Sequence, residues 1–130
     1  MLPEDQTSLR VLVVEDEGDT RAVMREVLEA EGWEVLEAED GATALRLLRA
    51  SAVPMIVVLD YLLPDLTGLE VVTQLVAEAP ADLPAVILVT ASVESRALQH
   101  HPLLAQLNIP ILPKPFDIEA LAALVKQAAP

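Results

Sequence analysis

Five times along this chain, a short apolar run rich in β-branched residues gives way to a longer segment. The short runs are Leu9–Val14, Trp33–Ala38, Met55–Leu59, Ala85–Val89 and Ile109–Leu112. The longer segments place apolar residues at helical spacing. Val23, Val27 and Leu28 form one face, and Ala44, Leu45, Leu47 and Leu48 a second. Leu69, Val72, Leu75 and Val76 form a third, and Leu121, Leu124 and Val125 the last. Repeated strand-then-helix units predict a parallel sheet covered by helices on both faces. The third and fourth runs, MIVVL and AVILV, are apolar without alternation, as strands buried on both faces must be.

Punctuation agrees with that reading. Asp19, Asp40, Thr67 and Asp117 stand where helix N-caps are expected. Gly32 stands where a helix would end in the left-handed conformation. Pro54, Pro84 and Pro110 sit in the connections leading into strands three, four and five. Pro110 and Pro113 bracket the fifth run, which predicts a short strand at the edge of the sheet. The stretch from Ser92 to Asn108 is less regular, and Pro102 is placed to begin a new turn and split the fourth helix in two.

Length and composition narrow the function. A chain of 130 residues with 53% apolar residues is one ordinary domain with a core of its own. Residues 1–8 are expected to form a flexible tail and 9–128 the folded unit. A net charge of −13 opposes direct contact with nucleic acid or anionic lipid. The absence of cysteine excludes disulfides and thiolate metal sites and fits a cytoplasmic protein. Met1 to Arg10 has no apolar stretch, so no signal peptide is expected there, and no run approaches the length of a membrane span.

In open parallel sheets, ligands bind beyond the carboxyl ends of the strands. Strand one ends in Glu15 and Asp16, strand three in Asp60, strand four in Thr90, and strand five runs into Lys114. Strand two leaves through Glu37, Glu39 and Asp40, which an alternating pattern marks as solvated. One edge of the sheet therefore collects three carboxylates, a hydroxyl and an ammonium. Three carboxylates that close together repel, and repulsion raises their pKa values. A hard divalent cation with oxygen ligands relieves this, and Mg²⁺ is suited to one or two carboxylates, waters and a phosphate oxygen. A carboxylate beside a metal, a hydroxyl and a lysine is in turn a good phosphoryl acceptor.

The stretches VLVVEDE, VVLDYLLPDLTGLE, ILVTA and ILPKPF, each closing a strand, resemble in order and spacing the signature stretches of response-regulator receiver domains. The resemblance covers nearly the whole chain. It implies a doubly wound, flavodoxin-like (βα)5 fold with strand order 2-1-3-4-5. It implies that Asp60 is the phosphoacceptor. Mg²⁺ would be held by Asp16 directly, by Glu15 in part through water, by Asp60, and by the backbone carbonyl of Leu62. Thr90 and Lys114 would stabilise the phosphoryl group, and Pro64 and Gly68 would shape the turn after the acceptor. The Lys114–Pro115 bond would be cis. The implied partner is a histidine kinase or phosphotransfer protein, with a downstream effector the resemblance does not specify, and the expected assembly is a monomer or weak dimer. Such a domain is a switch rather than a turnover enzyme; its only chemistry is self-phosphorylation and slow dephosphorylation.

Two positions depart from the family pattern. Ile111 stands at the switch position, where many receivers carry Tyr or Phe. Leu62 and Ser92 occupy the positions that in the family tune phosphoryl lifetime, so lifetime does not carry over.

Blander readings exist for each residue singly. Glu15 and Asp16 would be a solvated turn, Asp60 a cap, Thr90 a strand-end hydroxyl and Lys114 a surface charge. A receiver fold acting as an interaction module without phosphorylation is the main alternative, and the intact set Asp16, Asp60, Thr90 and Lys114 argues against it. An aspartyl-phosphate phosphatase would need a second Asp where Leu62 stands. Nucleotide binding lacks a GxxxxGK loop. His100 and His101 lack a third partner for zinc.

Overall fold

A computed structural model describes residues 10–91 and 96–129. The tail expected over residues 1–8 and the lifetime position Ser92 lie outside the described residues. Five strands form one parallel sheet: β1 (Arg10–Val14), β2 (Glu34–Ala38), β3 (Ile56–Asp60), β4 (Ala85–Ala91) and β5 (Ile111–Lys114). Their order is β2-β1-β3-β4-β5, with β5 at an edge, as expected. The helices are α1 (Gly18–Ala30), α2 (Gly41–Ala50), α3 (Gly68–Glu78), α4 (Pro102–Gln106) and α5 (Ile118–Ala128). Residues 96–98 are also helical. No helix among the described residues is long and apolar enough to cross a membrane.

The central strands have no solvated face. β3 is buried at every position, and so is β1 after Arg10. Alternate residues therefore feed two cores. Leu12, Val14, Val57, Leu59, Val86 and Leu88 pack with Ala44 and Leu45 of α2, Val71 and Val72 of α3, and Leu104 of α4. Val11, Val13, Ile56, Val58, Ile87 and Val89 pack with Met24 and Leu28 of α1 and Leu121 and Val125 of α5. Burying roughly 1.5–3 kcal/mol worth of aliphatic side chain at each such position makes the register costly to slip.

Three N-caps stand where the sequence places them. Asp40, Thr67 and Asp117 each accept from a backbone N–H of the following turn, and Thr67 with Glu70 closes a capping box. Asp19 does not cap. Helix α1 begins at Gly18, with Glu17 at the cap position; the Glu17 side chain accepts from the Thr20 hydroxyl and caps no backbone N–H of the first turn. Asp19 instead lies in the first turn, where its charge favours the helix dipole. Gly32 takes φ 97° after α1, the left-handed stop expected of it. Trp33 is buried against α1 residues Met24 and Leu28 just before β2 begins.

Three expectations are corrected. The inward face of α1 is set by Met24 and Leu28, while Val23 is 48% exposed. Strand β5 starts two residues later than expected and runs through Pro113 to Lys114, so the lysine is its last residue rather than its successor. Proline is tolerated there because β5 is an edge and needs no second ladder partner. Strand β4 extends two residues further than expected, through Thr90 to Ala91. The break at Pro102 is as expected: His101 caps α4 through its Nδ1, and Pro102 is the first helical residue.

Candidate functional site

The carboxyl ends of β1, β3, β4 and β5 meet at one edge of the sheet. Residue Asp60 ends β3 in register with Val89 of β4, one position before Thr90. Thr90 and Lys114 lie on the adjacent pair, where Thr90 is opposite Pro113 and Ala91 opposite Lys114. Glu15 follows β1 directly, and its amide donates to Ala38 O at 3.0 Å, continuing the ladder to β2. Side-chain oxygens of Glu15, Asp16 and Asp60 lie within 4.8 Å of one another. Glu15 and Asp60 are buried and Asp16 is exposed, so the group opens to water on one side only. Thr90 is buried at 1% exposure.

Lysine 114 reaches into this group. Its Nζ donates to Glu15 Oε1 at 2.8 Å and pairs with Asp60 Oδ1 at 3.3 Å. The shorter contact is with Glu15, a partner that reasoning from strand ends alone does not single out. Burial alone would lower the Lys114 ammonium, but the hydrogen bond to Glu15 and the charges of Asp60 and Glu15 outweigh it and hold it above its ordinary value. The Asp60 carboxyl is pushed up to about 6. Burial is the largest cause; the Glu15 charge adds to it, Lys114 opposes it, and Asp16 contributes least. Charge repulsion, which the sequence suggests as the reason for raised values, is thus second to desolvation here.

The loop after Asp60 is held from several sides. Tyr61 N donates to Val89 O at 2.8 Å, and Gly68 N donates to Tyr61 O at 2.6 Å. Leu62 bridges to Thr67 across the loop, with its side chain 53% exposed. A Cβ on Gly68 would stand 2.8 Å from Asp60 O and 2.8 Å from Leu88 Cδ1, so glycine is required by closeness to the backbone of Asp60 itself. The Lys114–Pro115 peptide is cis. Ile111 is half-buried, opposite Leu88 in the ladder, with its side chain on the core beneath α4.

Two supports were not legible in the sequence. Asp65 accepts from Gly41 N at 2.8 Å and Ala42 N at 2.9 Å, so the loop after β3 caps α2 as well as Asp40 does. These bonds, that to Gly41 first, hold the Asp65 carboxyl below its usual value. Arg21 donates from Nη1 to Glu15 O at 2.8 Å and from Nε to Glu37 Oε1 at 2.9 Å. Glu37 is therefore not simply solvated, as its alternating pattern suggests. It takes Arg25 as well, at 2.8 Å, and the Arg25 hydrogen bond is the main cause that lowers its pKa.

Known proteins are similar to this chain in sequence and in fold. The family model for the response regulator receiver domain matches residues 11–126. The probable transcriptional regulatory protein TcrX of Mycobacterium tuberculosis is 42% identical over 94 residues, covering 71% of this chain and 39% of that protein. Response regulator MprA of Mycolicibacterium vanbaalenii is 38% identical over 118 residues, covering 91% of this chain and 49% of that protein. The chain thus spans about half or less of the curated relatives it matches. Among solved structures, response regulator TrrA of Thermotoga maritima, in complex with Mg²⁺-BeF, superposes with a TM-score of 0.76 at 30% identity, over 92% of this chain and 97% of that one. Chemotaxis response regulator CheY4 of Vibrio cholerae shares the fold, with a TM-score of 0.78 at 23% identity, over 92% of this chain and 97% of that one. With the 2-1-3-4-5 sheet and this family match over residues 11–126, the chain belongs to the response regulator receiver domains of two-component signalling.

Proposed function

We propose that this receiver domain is switched by phosphorylation of Asp60, with Mg²⁺ bound beside it and a histidine kinase or phosphotransfer protein as donor. One observation carries the reading. A buried carboxylate ends the central strand, with two more carboxylates close by and an ammonium 3.3 Å from its Oδ1. The donor set is all oxygen, which suits a hard cation, and exposed Asp16 leaves room for water ligands. Asp16, Glu15, Asp60 and the Leu62 carbonyl would hold the ion. Bound there, Mg²⁺ supplies neutralisation for the oxygens of the phosphoryl group.

In the transfer, an Oδ of Asp60 forms the bond to phosphorus as the bond from phosphorus to the donor nitrogen breaks, and the nitrogen keeps the electron pair. Lys114 is placed to follow the charge, since it already spans Glu15 and Asp60. Thr90 stands one residue before the end of β4, next after the register partner of Asp60, and offers a hydroxyl to a phosphoryl oxygen. TrrA, a response regulator, is known with Mg²⁺-BeF bound, which supports the same chemistry here. No cysteine and no helix of membrane-spanning length among the described residues are in keeping with a cytoplasmic role, and the charge of −13 with a protein partner rather than direct nucleic-acid contact.

The test is incubation with acetyl phosphate and Mg²⁺, read by intact mass. The mass rises by one phosphoryl group in the parent and stays unchanged in Asp60→Asn. Labelling of the variant equal to the parent would move the acceptor elsewhere. No labelling of the parent would favour an interaction module that works without phosphorylation.

A further inference from the structure

We propose that Arg21 is a positioning residue for the metal site, acting through the peptide that joins Glu15 to Asp16. The inference rests on the Mg²⁺ reading above and adds a residue to it. Arg21 lies in the second turn of α1, with its own amide bonded to Glu17 O at 2.9 Å. Its side chain folds back over the end of β1 and is 20% exposed. Nη1 holds the Glu15 carbonyl at 2.8 Å, while Nε holds Glu37 Oε1 at 2.9 Å. Glu37 lies on β2, opposite Val13 in the ladder, so the guanidinium ties α1, β1 and β2 at one point.

The Glu15 carbonyl belongs to the peptide that leads into Asp16. Glu15 is fixed at its amide by Ala38 O, and at its side chain by Lys114 and by the Glu17 amide at 3.1 Å. Arg21 fixes the remaining part, the plane of the next peptide. That plane sets the direction in which exposed Asp16 leaves the strand. A metal site needs its ligands held in place, and partners behind the ligands supply much of that. The planar guanidinium presents its donors to the two elements at a fixed separation and orientation, which an ammonium on a flexible stem does not reproduce.

Charge and position predict opposite signs here. Arg21→Met removes a cation bonded to the backbone of Glu15, and by Coulomb's law alone that strengthens Mg²⁺ binding. Loss of position weakens it. Arg21→Lys keeps the charge, so Coulomb's law alone predicts no change, whereas loss of the fork again predicts weakening. Arg25→Met is the control. It removes the same charge from the same Glu37 partner but has no bond to Glu15.

The experiment is a titration with MgCl₂ followed by amide chemical shifts, on parent and variants whose far-UV circular dichroism matches. The expected result is about tenfold weaker binding in Arg21→Met, at the low end for lost partners behind a ligand. Arg21→Lys weakens in the same direction, and Arg25→Met binds as the parent does or tighter. If Arg21→Met does not fold, Arg21→Lys carries the test. Parent-like or tighter binding in Arg21→Lys and Arg21→Met overturns this inference alone, as does equal weakening in Arg25→Met. A parent that binds no Mg²⁺ overturns the metal reading and this inference with it.

Discussion

Asp60 is the residue on which the site turns, and burial sets its chemistry. Its carboxyl is pushed up to about 6, mainly by desolvation. An unfolded aspartate titrates near ~3.9. Between those values the folded protein binds more protons than the unfolded chain, so stability falls as pH rises through this window. The contribution is complete below about pH 4 and lost above about pH 6. Asp60→Asn removes the cost of the charged form, while Lys114 keeps its contact with Glu15. Without metal, Asp60→Asn should therefore melt higher than the parent at pH 7.5. The gain is on the order of 1 kcal/mol after discounting for water at the open side of the site. The gain should shrink as pH falls below 6, in melting curves at matched ionic strength. Asp16→Ala should give a smaller gain, because Asp16 is exposed and the weakest contributor to the Asp60 shift. Mg²⁺ affinity should fall as pH drops through about 6, since the ion competes with a proton. At this scale the meeting of Asp60, Glu15, Asp16, Thr90 and Lys114 at one edge of the sheet is legible, because each stands at or just beyond the end of an apolar run. Arg21 and Asp65 were not. Both act on backbone atoms of distant segments, and nothing in their local sequence distinguishes them from surface charges.

At the scale of elements, the loop from β3 to α3 ties Asp60 to two helices. Gly68 opens α3 against the backbone of Asp60, and Asp65 caps α2. Gly41 opens α2 against Leu66 of the same loop, where a Cβ would meet Leu66 Cδ1 at 2.9 Å. The two glycines therefore respond differently to alanine. In Gly68→Ala the obstacle is Asp60 O, which cannot move without moving the end of β3, so a loss of about 1–3 kcal/mol is expected. In Gly41→Ala the obstacle is one side chain, and alanine's better helix propensity, up to about 1 kcal/mol, offsets part of the strain. Urea denaturation should place Gly68→Ala well below Gly41→Ala in midpoint, and equal midpoints would count against this account. Legibility at this scale was uneven for definite reasons. Asp40, Thr67 and Asp117 cap as expected because each directly precedes a helical run. Asp19 failed because the chain turns helical at Gly18, before it. Val23 was assigned to the inner face because it is apolar, yet Met24, one step round the helix, takes that place. The late start of β5 escaped because Ile109 and Pro110 are apolar without being in the ladder, although Pro110 O does accept from Leu88 N at 3.0 Å.

Across the whole molecule, the alternation of strands and helices makes the sheet parallel and doubly covered, but it says nothing of which strands are neighbours. The order 2-1-3-4-5 came from the family resemblance, and only the crossovers of the folded chain express it. That order sets β4 and β5 side by side, with Leu88 opposite Ile111 and Thr90 opposite Pro113. Leu98, Leu104 and Leu88 share one core, and Leu103, Leu107, Ile109 and Ile111 pack against it. The ring that many family members carry at the Ile111 position is absent. A β-branched aliphatic has restricted χ1 freedom and no polar tip to exchange between interior and water. It is held beside Leu88 in the ladder. The segment before it is different. Helix α4 has five residues, begins at a proline, and follows the helical residues 96–98 after a break. A five-residue helix has few internal hydrogen bonds to lose, and short elements open at low free energy. Phosphorylation of Asp60 should therefore alter amide exchange most between residues 91 and 108 and little at Ile111. The measurement is hydrogen exchange with Mg²⁺, with and without beryllofluoride as phosphoryl mimic. Protection changes centred on β5, with residues 96–108 unchanged, would place the switch in the strand and sink this account. Changes confined to the β3–α3 loop would do the same, because they would leave the signal at the site instead of carrying it along the face of the sheet.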